Sequence, residues 1–113
     1  MELSQKTCIP CGPGEPPLSE LRVRELARGI PGWALSGGDT RLRREIRFRD
    51  FGSAMAYVAR VAVIAEKERH HPDLAVEAGL VTLTLWTRSI GGLSENDFIL
   101  AAKIDTVRPQ RVA

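Results

Sequence analysis

Glu66-Lys67-Glu68-Arg69-His70-His71-Pro72-Asp73 holds both histidines of the chain, side by side and followed by a proline. The run before it, Phe51 to Ala65, has helical spacing, and the run after it, Leu74 to Arg88, reads as two strands. Pro72 predicts the break, because its ring fixes φ, removes an N–H donor and biases His71 out of the α region. His70 and His71 therefore stand where a helix gives way to a strand, and a bent backbone would aim their rings differently. Nowhere else in the chain do the residue types suggest chemistry.

Upstream, Asp50 is placed to cap the helix. Phe51, Ala54 with Met55, Val58, Ala62 and Ala65 keep its 3.6-residue period, and Val61 and Ile64 widen the stripe. Small residues at Ala54, Ala56, Ala59 and Ala62 would let another helix approach, which predicts a helix that packs on the sheet and also meets a second subunit. Thr40 to Arg49 alternates, with Leu42, Ile46 and Phe48 on one face and Arg41, Arg43, Glu45, Arg47 and Arg49 on the other. Only Arg44 breaks the inward set. Ser36-Gly37-Gly38-Asp39 is a turn, and Trp33-Ala34-Leu35 a short strand before it. A first helix is expected from Glu20 to Arg28, with Ser19 as N-cap, Leu18 stapled against Val23, and Gly29 and Pro31 ending it. Its outer face carries Arg22, Arg24 and Arg28. These, with Arg43 and Arg47 of the strand, read as solvated faces or as docking points for an acidic partner. RNA would want aromatic platforms on the same face, and there are none.

Downstream, Leu74, Val76 and Ala78 alternate with Ala75 and Glu77, Gly79 turns, and Val81, Leu83 and Leu85 alternate with Thr82, Thr84 and Trp86. Ser94-Glu95-Asn96-Asp97 has capping-box form, with Ser94 as N-cap and Asp97 at N3. The third helix carries Phe98, Leu100, Ala101, Ile104 and Val107. The order predicts an α+β fold, α-β-β-α-β-β-α, with three helices on one face of a four-stranded antiparallel sheet. The domain spans 18–107, behind an irregular Pro/Gly-rich lead-in (1–17) and ahead of a frayed polar tail (108–113).

Composition bounds the function. A chain of 113 residues is one domain, and 43% hydrophobic with 27% charged residues suits a soluble globular one. With 5% aromatics the core must be mostly Val, Ile, Leu and Ala. A net charge of +2 gives no strong field toward nucleic acid. There is no membrane-spanning run and no signal-peptide pattern, so a cytoplasmic protein with reduced thiols is expected. Cys8-Ile9-Pro10-Cys11 is a C-x-x-C pair. It lacks the preceding strand of a redox motif and nearby partners for zinc, so the plain reading is a loop near a loosely held terminus, with no metal.

Glu66-x-x-x-His70-His71-Pro72, Gly92-Leu93-Ser94-Glu95-Asn96-Asp97-Phe98 and Ala101-Ala102-Lys103-Ile104-Asp105 resemble the pterin-4a-carbinolamine dehydratase family over roughly Ser19 to Val107. The lead-in Cys pair and Pro31-Gly32-Trp33 are similar to its bacterial members. The resemblance implies dehydration of a 4a-hydroxytetrahydropterin without metal or added cofactor, in a homodimer or in a homotetramer built through the second helix. It casts His70 as an acid/base, His71 as the group that positions the pterin, and Glu66 as support for His70. Pro72, Trp86 and Asp97 would meet the pterin.

Departures from the family pattern shape a second expectation. Leu74 and Ala78 stand where the family has aromatic residues, and Arg88 where it has a third histidine. A guanidinium stays protonated and cannot exchange a proton. The reading is therefore of a degraded active site. The chain then resembles a divergent, dehydratase-like branch of the family, and that resemblance implies a non-catalytic assembly factor for Rubisco in the α-carboxysome, with the Rubisco large subunit as partner and a carboxysome-associated location. The alternative is a working 4a-hydroxytetrahydrobiopterin dehydratase that recycles pterin.

Overall fold

The computed structural model of the chain describes residues 2–10 and 14–113. Its elements run α1 (Glu20–Ala27), β1 (Ala34–Ser36), β2 (Arg41–Arg47), α2 (Phe51–Glu68), β3 (Asp73–Glu77), β4 (Leu80–Leu85) and α3 (Glu95–Asp105), with single 3-10 turns at Leu3–Gln5 and Arg88–Ile90. The strands form one antiparallel sheet in the order β1-β2-β4-β3. Side chains of all three helices join Leu42, Ile46, Val81, Leu83 and Leu85 in a single core, while Arg43, Glu45 and Arg47 are not part of it. This is the expected α+β architecture. No helix among the described residues is long and apolar enough to cross a membrane.

Arg44, the odd residue of the inward set, faces the helices with its head at the edge of the core. Its Nη1 reaches Asp105 Oδ1 at 2.6 Å, and the same oxygen accepts from Trp33 Nε1 at 2.9 Å. A long arginine stem can line apolar surface while its charge finds a half-exposed carboxylate.

α2 starts where Asp50 Oδ1 accepts from Ser53 N–H at 2.7 Å, and it runs three residues past the expected Ala65. Arg69 ends it, and Pro72 comes too late to do so. Arg69 adopts the left-handed region (φ 55°, ψ 34°). Its N–H returns to Glu66 O and the His70 N–H to Ala65 O, both at 3.3 Å, the paired bonds of a Schellman ending. Glycine usually fills that position, since an L side chain there costs about 1 kcal/mol.

The inward face of α2 is also rotated from expectation. Ala54, Tyr57, Val61 and Ala65 are buried, whereas Phe51, Met55 and Val63 are exposed. A helix that is apolar nearly all round gives no period that selects one face. Tyr57, absent from the expected stripe, packs on Phe48 with ring centroids 5.3 Å apart.

In the β3–β4 hairpin the left-handed residue is Ala78 (φ 54°) and not Gly79. Gly79 is required for another reason. A Cβ there would lie 2.5 Å from Phe48 O, because Phe48 N–H bonds to Gly79 O at 2.7 Å.

Among the described residues, segments near both termini are bonded to the domain. Lys103 Nζ donates to Ser4 O at 2.9 Å, and the Leu3–Gln5 turn lies along α3. At the other end Arg49 N–H reaches Arg111 O and Ala113 N–H reaches Arg47 O, at 2.8 and 2.9 Å. Among the described residues, parts of the irregular lead-in and of the tail are thus bonded to the domain. The anchoring bonds join residues far apart in sequence, where local composition carries no signal.

Candidate active site

His70 leaves the Schellman turn pointing at the N-terminal end of α3. Its Nε2 lies 2.6 Å from Asp97 Oδ1, and the Asp97 side chain is fully buried. The other carboxylate oxygen, Oδ2, accepts from the Ser94 backbone N–H at 2.9 Å and from the Thr87 hydroxyl at 2.8 Å. Thr87 Oγ1 in turn lies 2.7 Å from Ser94 Oγ. Asp97 is thus the helix cap that the sequence suggests and also the partner of a histidine. One residue serves both because a carboxylate offers two oxygens. An ionised carboxylate can only accept, so opposite it a neutral His70 ring carries its hydrogen on Nε2 and its lone pair on Nδ1. That is the form of imidazole that takes a proton.

His71 faces the other way. Its Nε2 is 3.3 Å from Glu66 Oε2, and both side chains are mostly exposed, at 61% and 77%. Glu66 was expected to support His70, one helical turn on. The left-handed step at Arg69 carries His70 off that line, and Glu66 meets His71 instead. Pro72 is half-buried and does not line the cleft.

Trp86 and Arg88 do line it. Trp86 Nε1 donates to Asp73 Oδ2 at 3.1 Å, and Arg88 Nη2 pairs with Asp73 Oδ1. Arg41 and Arg88 lie over the indole, with guanidinium carbons 4.0 and 5.0 Å from the ring centroid. The Arg88 hydrogen bond, with that of Trp86, holds the Asp73 carboxyl below the usual carboxylate range despite some burial. Leu74 and Ala78, where the family pattern has aromatics, are outside the cleft. Leu74 stands at the start of β3 and Ala78 in the hairpin turn.

The cleft has a volume of about 480 Å³. Its far wall is the N-terminal segment, which sequence reasoning missed. The Asn96 side-chain amide grips the Ile9 backbone on both sides, accepting from its N–H at 2.9 Å and donating to its carbonyl at 2.5 Å. Cys8 N–H donates to Glu68 Oε1 at 3.0 Å. Burial, then the Glu68 charge, pushes the Cys8 thiol up to about 12, which makes it a wall residue and no nucleophile. Cys11 lies outside the described residues. Among the described residues no group of three or more His, Cys, Asp or Glu is placed to hold a metal ion.

The candidate partner-binding arginines do not form one patch. Arg22 is tied to Glu25 and Glu95 on the helical layer, at 3.0 and 3.4 Å. Arg43 pairs with Glu45 at 2.7 Å on β2, and Arg47 lies exposed on the same strand.

Known proteins resemble the chain over most of its length. The family model described as Pterin 4 alpha carbinolamine dehydratase matches residues 16–107. A Rubrobacter xylanophilus protein is 44% identical over 104 residues, covering 92% of this chain and 96% of its own. One from Stenotrophomonas maltophilia is 44% identical over 108 residues, covering 96% and 93%. The names of both carry the words pterin-4-alpha-carbinolamine dehydratase. Among solved structures, a transcriptional coactivator/pterin dehydratase from Brucella melitensis matches with TM-score 0.74 and 33% identity, over 80% of this chain and 96% of that one. A pterin dehydratase-like protein described as a RuBisCO assembly factor in the alpha-carboxysome matches with TM-score 0.56 and 21% identity, over 66% and 87%, a likeness of fold alone. With its family model spanning the whole globular part and relatives at 44% identity along nearly their full length, the chain belongs to the pterin 4 alpha carbinolamine dehydratase family.

Proposed function

We propose that this protein dehydrates a 4a-hydroxytetrahydropterin to the quinonoid dihydropterin, with His70 as the acid/base group. One observation carries the reading: an imidazole at a cleft with its Nε2 fixed on a fully buried carboxylate, which in the neutral ring leaves Nδ1 for proton exchange. In the reaction the C–O bond at the bridgehead carbon breaks and the hydroxyl leaves as water after receiving a proton. A ring N–H gives its proton to a base as the C=N bond forms. The sum is loss of water, with no oxidant and no cofactor needed. Imidazole suits both transfers because it titrates near neutral pH in its ordinary state.

His71, exposed at the same cleft, positions the pterin, and Glu66 orients His71. Trp86 offers a ring edge at the cleft. Arg88, held by Asp73, supplies a fixed cation for a carbonyl oxygen and takes no part in proton exchange. The expectation of a degraded site rested on Arg88, Leu74 and Ala78. Two of those three do not line the cleft, and the proton-exchanging unit does not include the third. The assembly-factor reading draws on a solved structure at 21% identity, a likeness of fold alone, whereas the relatives at 44% are named for the dehydratase. Phe51, Met55 and Val63, exposed on α2, support assembly of copies of the chain through that helix.

Freshly generated 4a-hydroxytetrahydrobiopterin tests this. The protein should speed water loss at least about tenfold over buffer. A folded preparation that leaves the buffer rate unchanged would overturn the dehydratase reading and return the chain to a non-catalytic role.

A further inference from the structure

The charges on the cleft do not balance. Lys67, Glu68, Arg69 and Arg88 line it. Arg88 is paired with Asp73 and already assigned to a carbonyl oxygen of the ring. Glu68, 7% exposed, is engaged by Lys103 at 3.8 Å and by the Cys8 N–H. Lys67 and Arg69 remain, both exposed at the cleft, with no ion pair among the described residues. The two stand within three residues of His70, where the reacting ring must sit.

A second observation concerns the backbone. Arg69 occupies the left-handed position that ends α2, with φ 55°. Glycine would hold that turn with less strain, and among the described residues the arginine side chain makes no hydrogen bond or ion pair that offsets the cost. A strained residue kept at the lip of a cleft points to work done by its side chain on something outside the fold.

We propose that Lys67 and Arg69 form a subsite for an anionic group carried on the side chain of the pterin, either a carboxylate or a phosphate ester. This rests on the dehydratase reading and names the class of substrate it prefers. A neutral dihydroxypropyl side chain would leave both cations with nothing to meet. An anion there gains two charge-assisted contacts, and the guanidinium can grip either anion with two parallel N–H donors. The strain at Arg69 is then the cost of placing that fork beside the reacting ring.

Three fluorescent pterins separate the outcomes: biopterin, pterin-6-carboxylate and 6-hydroxymethylpterin phosphate, titrated by fluorescence against the wild type and against Arg69→Gly combined with Lys67→Gln. Wild type should bind at least one anionic pterin about tenfold or more tighter than biopterin. The tighter of the two identifies carboxylate or phosphate. That advantage should shrink when ionic strength rises to about 0.5 M, and should fall to within about threefold in the double variant. Arg69→Gly relieves the left-handed strain at the cost of a more flexible unfolded chain, so the double variant should melt within about 5 °C of wild type, which a thermal scan checks before binding is compared. Equal binding of all three pterins by wild type overturns the subsite and leaves the dehydratase reading intact. So does an anionic advantage that survives in the double variant. If no pterin binds and carbinolamine is not turned over, the dehydratase reading fails and the subsite falls with it.

Discussion

His70 and His71 are neighbours in the chain and opposites in their surroundings. His70 is 14% exposed against a carboxylate that is fully buried, while His71 and its carboxylate, Glu66, are mostly in solvent. The cause is local. A left-handed residue at Arg69 turns the chain through the end of α2, so one ring swings under α3 and the next swings out. The environment, not the residue type, then divides the labour. A fixed, dry partner sets which nitrogen carries the hydrogen, whereas a solvated pair is screened and contributes little to stability.

The sharpest way to break this contrast is to remove the inner imidazole. His70→Gln should lower the dehydration rate by about two to four orders of magnitude, with the fold retained by circular dichroism. A loss under tenfold would put the proton-exchanging group elsewhere.

Thr87→Val comes next. It removes a buried hydroxyl that donates to Asp97 and also lies beside Ser94 Oγ, without touching the histidine. Urea unfolding should report a loss of about 1–3 kcal/mol, the usual cost when a buried charged acceptor loses a donor. An unchanged midpoint would mean that the carboxylate is satisfied without it.

The smallest effect belongs to the outer side of the cleft. Asp73→Asn breaks the pairing with Arg88 and weakens that with Trp86, yet both partners are about half exposed, so the stability change should stay below about 1 kcal/mol. Its sign with pH is fixed. The Asp73 carboxyl is held below the ordinary range in the folded state, so its contribution is present at neutral pH and is lost as pH falls through the folded-state value. Wild type and variant should therefore differ at pH 7 and converge in strong acid. A gap that widens in acid would contradict the assignment.

The same contrast explains what could be read from the sequence. The alternation in Thr40–Arg49 and Leu80–Leu85 exposed the sheet, the His-His-Pro step put the histidines past the end of α2, and the Ser94–Asp97 pattern marked the start of α3. These are local patterns with fixed periods. What was misread depends on rotation or on long range. Pairing Glu66 with His70 assumed that the helix continued straight, and one positive φ at Arg69 reassigned the carboxylate to His71. The outward face of α2 was misjudged because alanine, valine and phenylalanine ring the helix. The N-terminal wall was invisible, since the Asn96 grip on Ile9 spans most of the chain. Asp97 shows the limit of a sufficient explanation: capping accounted for its presence, and its second oxygen still held the histidine.

One paired measurement tests the central claim most directly. Asp97→Asn and Glu66→Gln each replace a histidine-bound carboxylate by an amide, one buried and one exposed, and kcat for both can be read in the same carbinolamine assay. Asp97→Asn should cost about a hundredfold or more, because the amide no longer fixes the tautomer of His70, while Glu66→Gln should stay within about threefold of wild type. Equal losses in the two variants, or the larger loss in Glu66→Gln, would contradict the assignment of proton exchange to the buried pair.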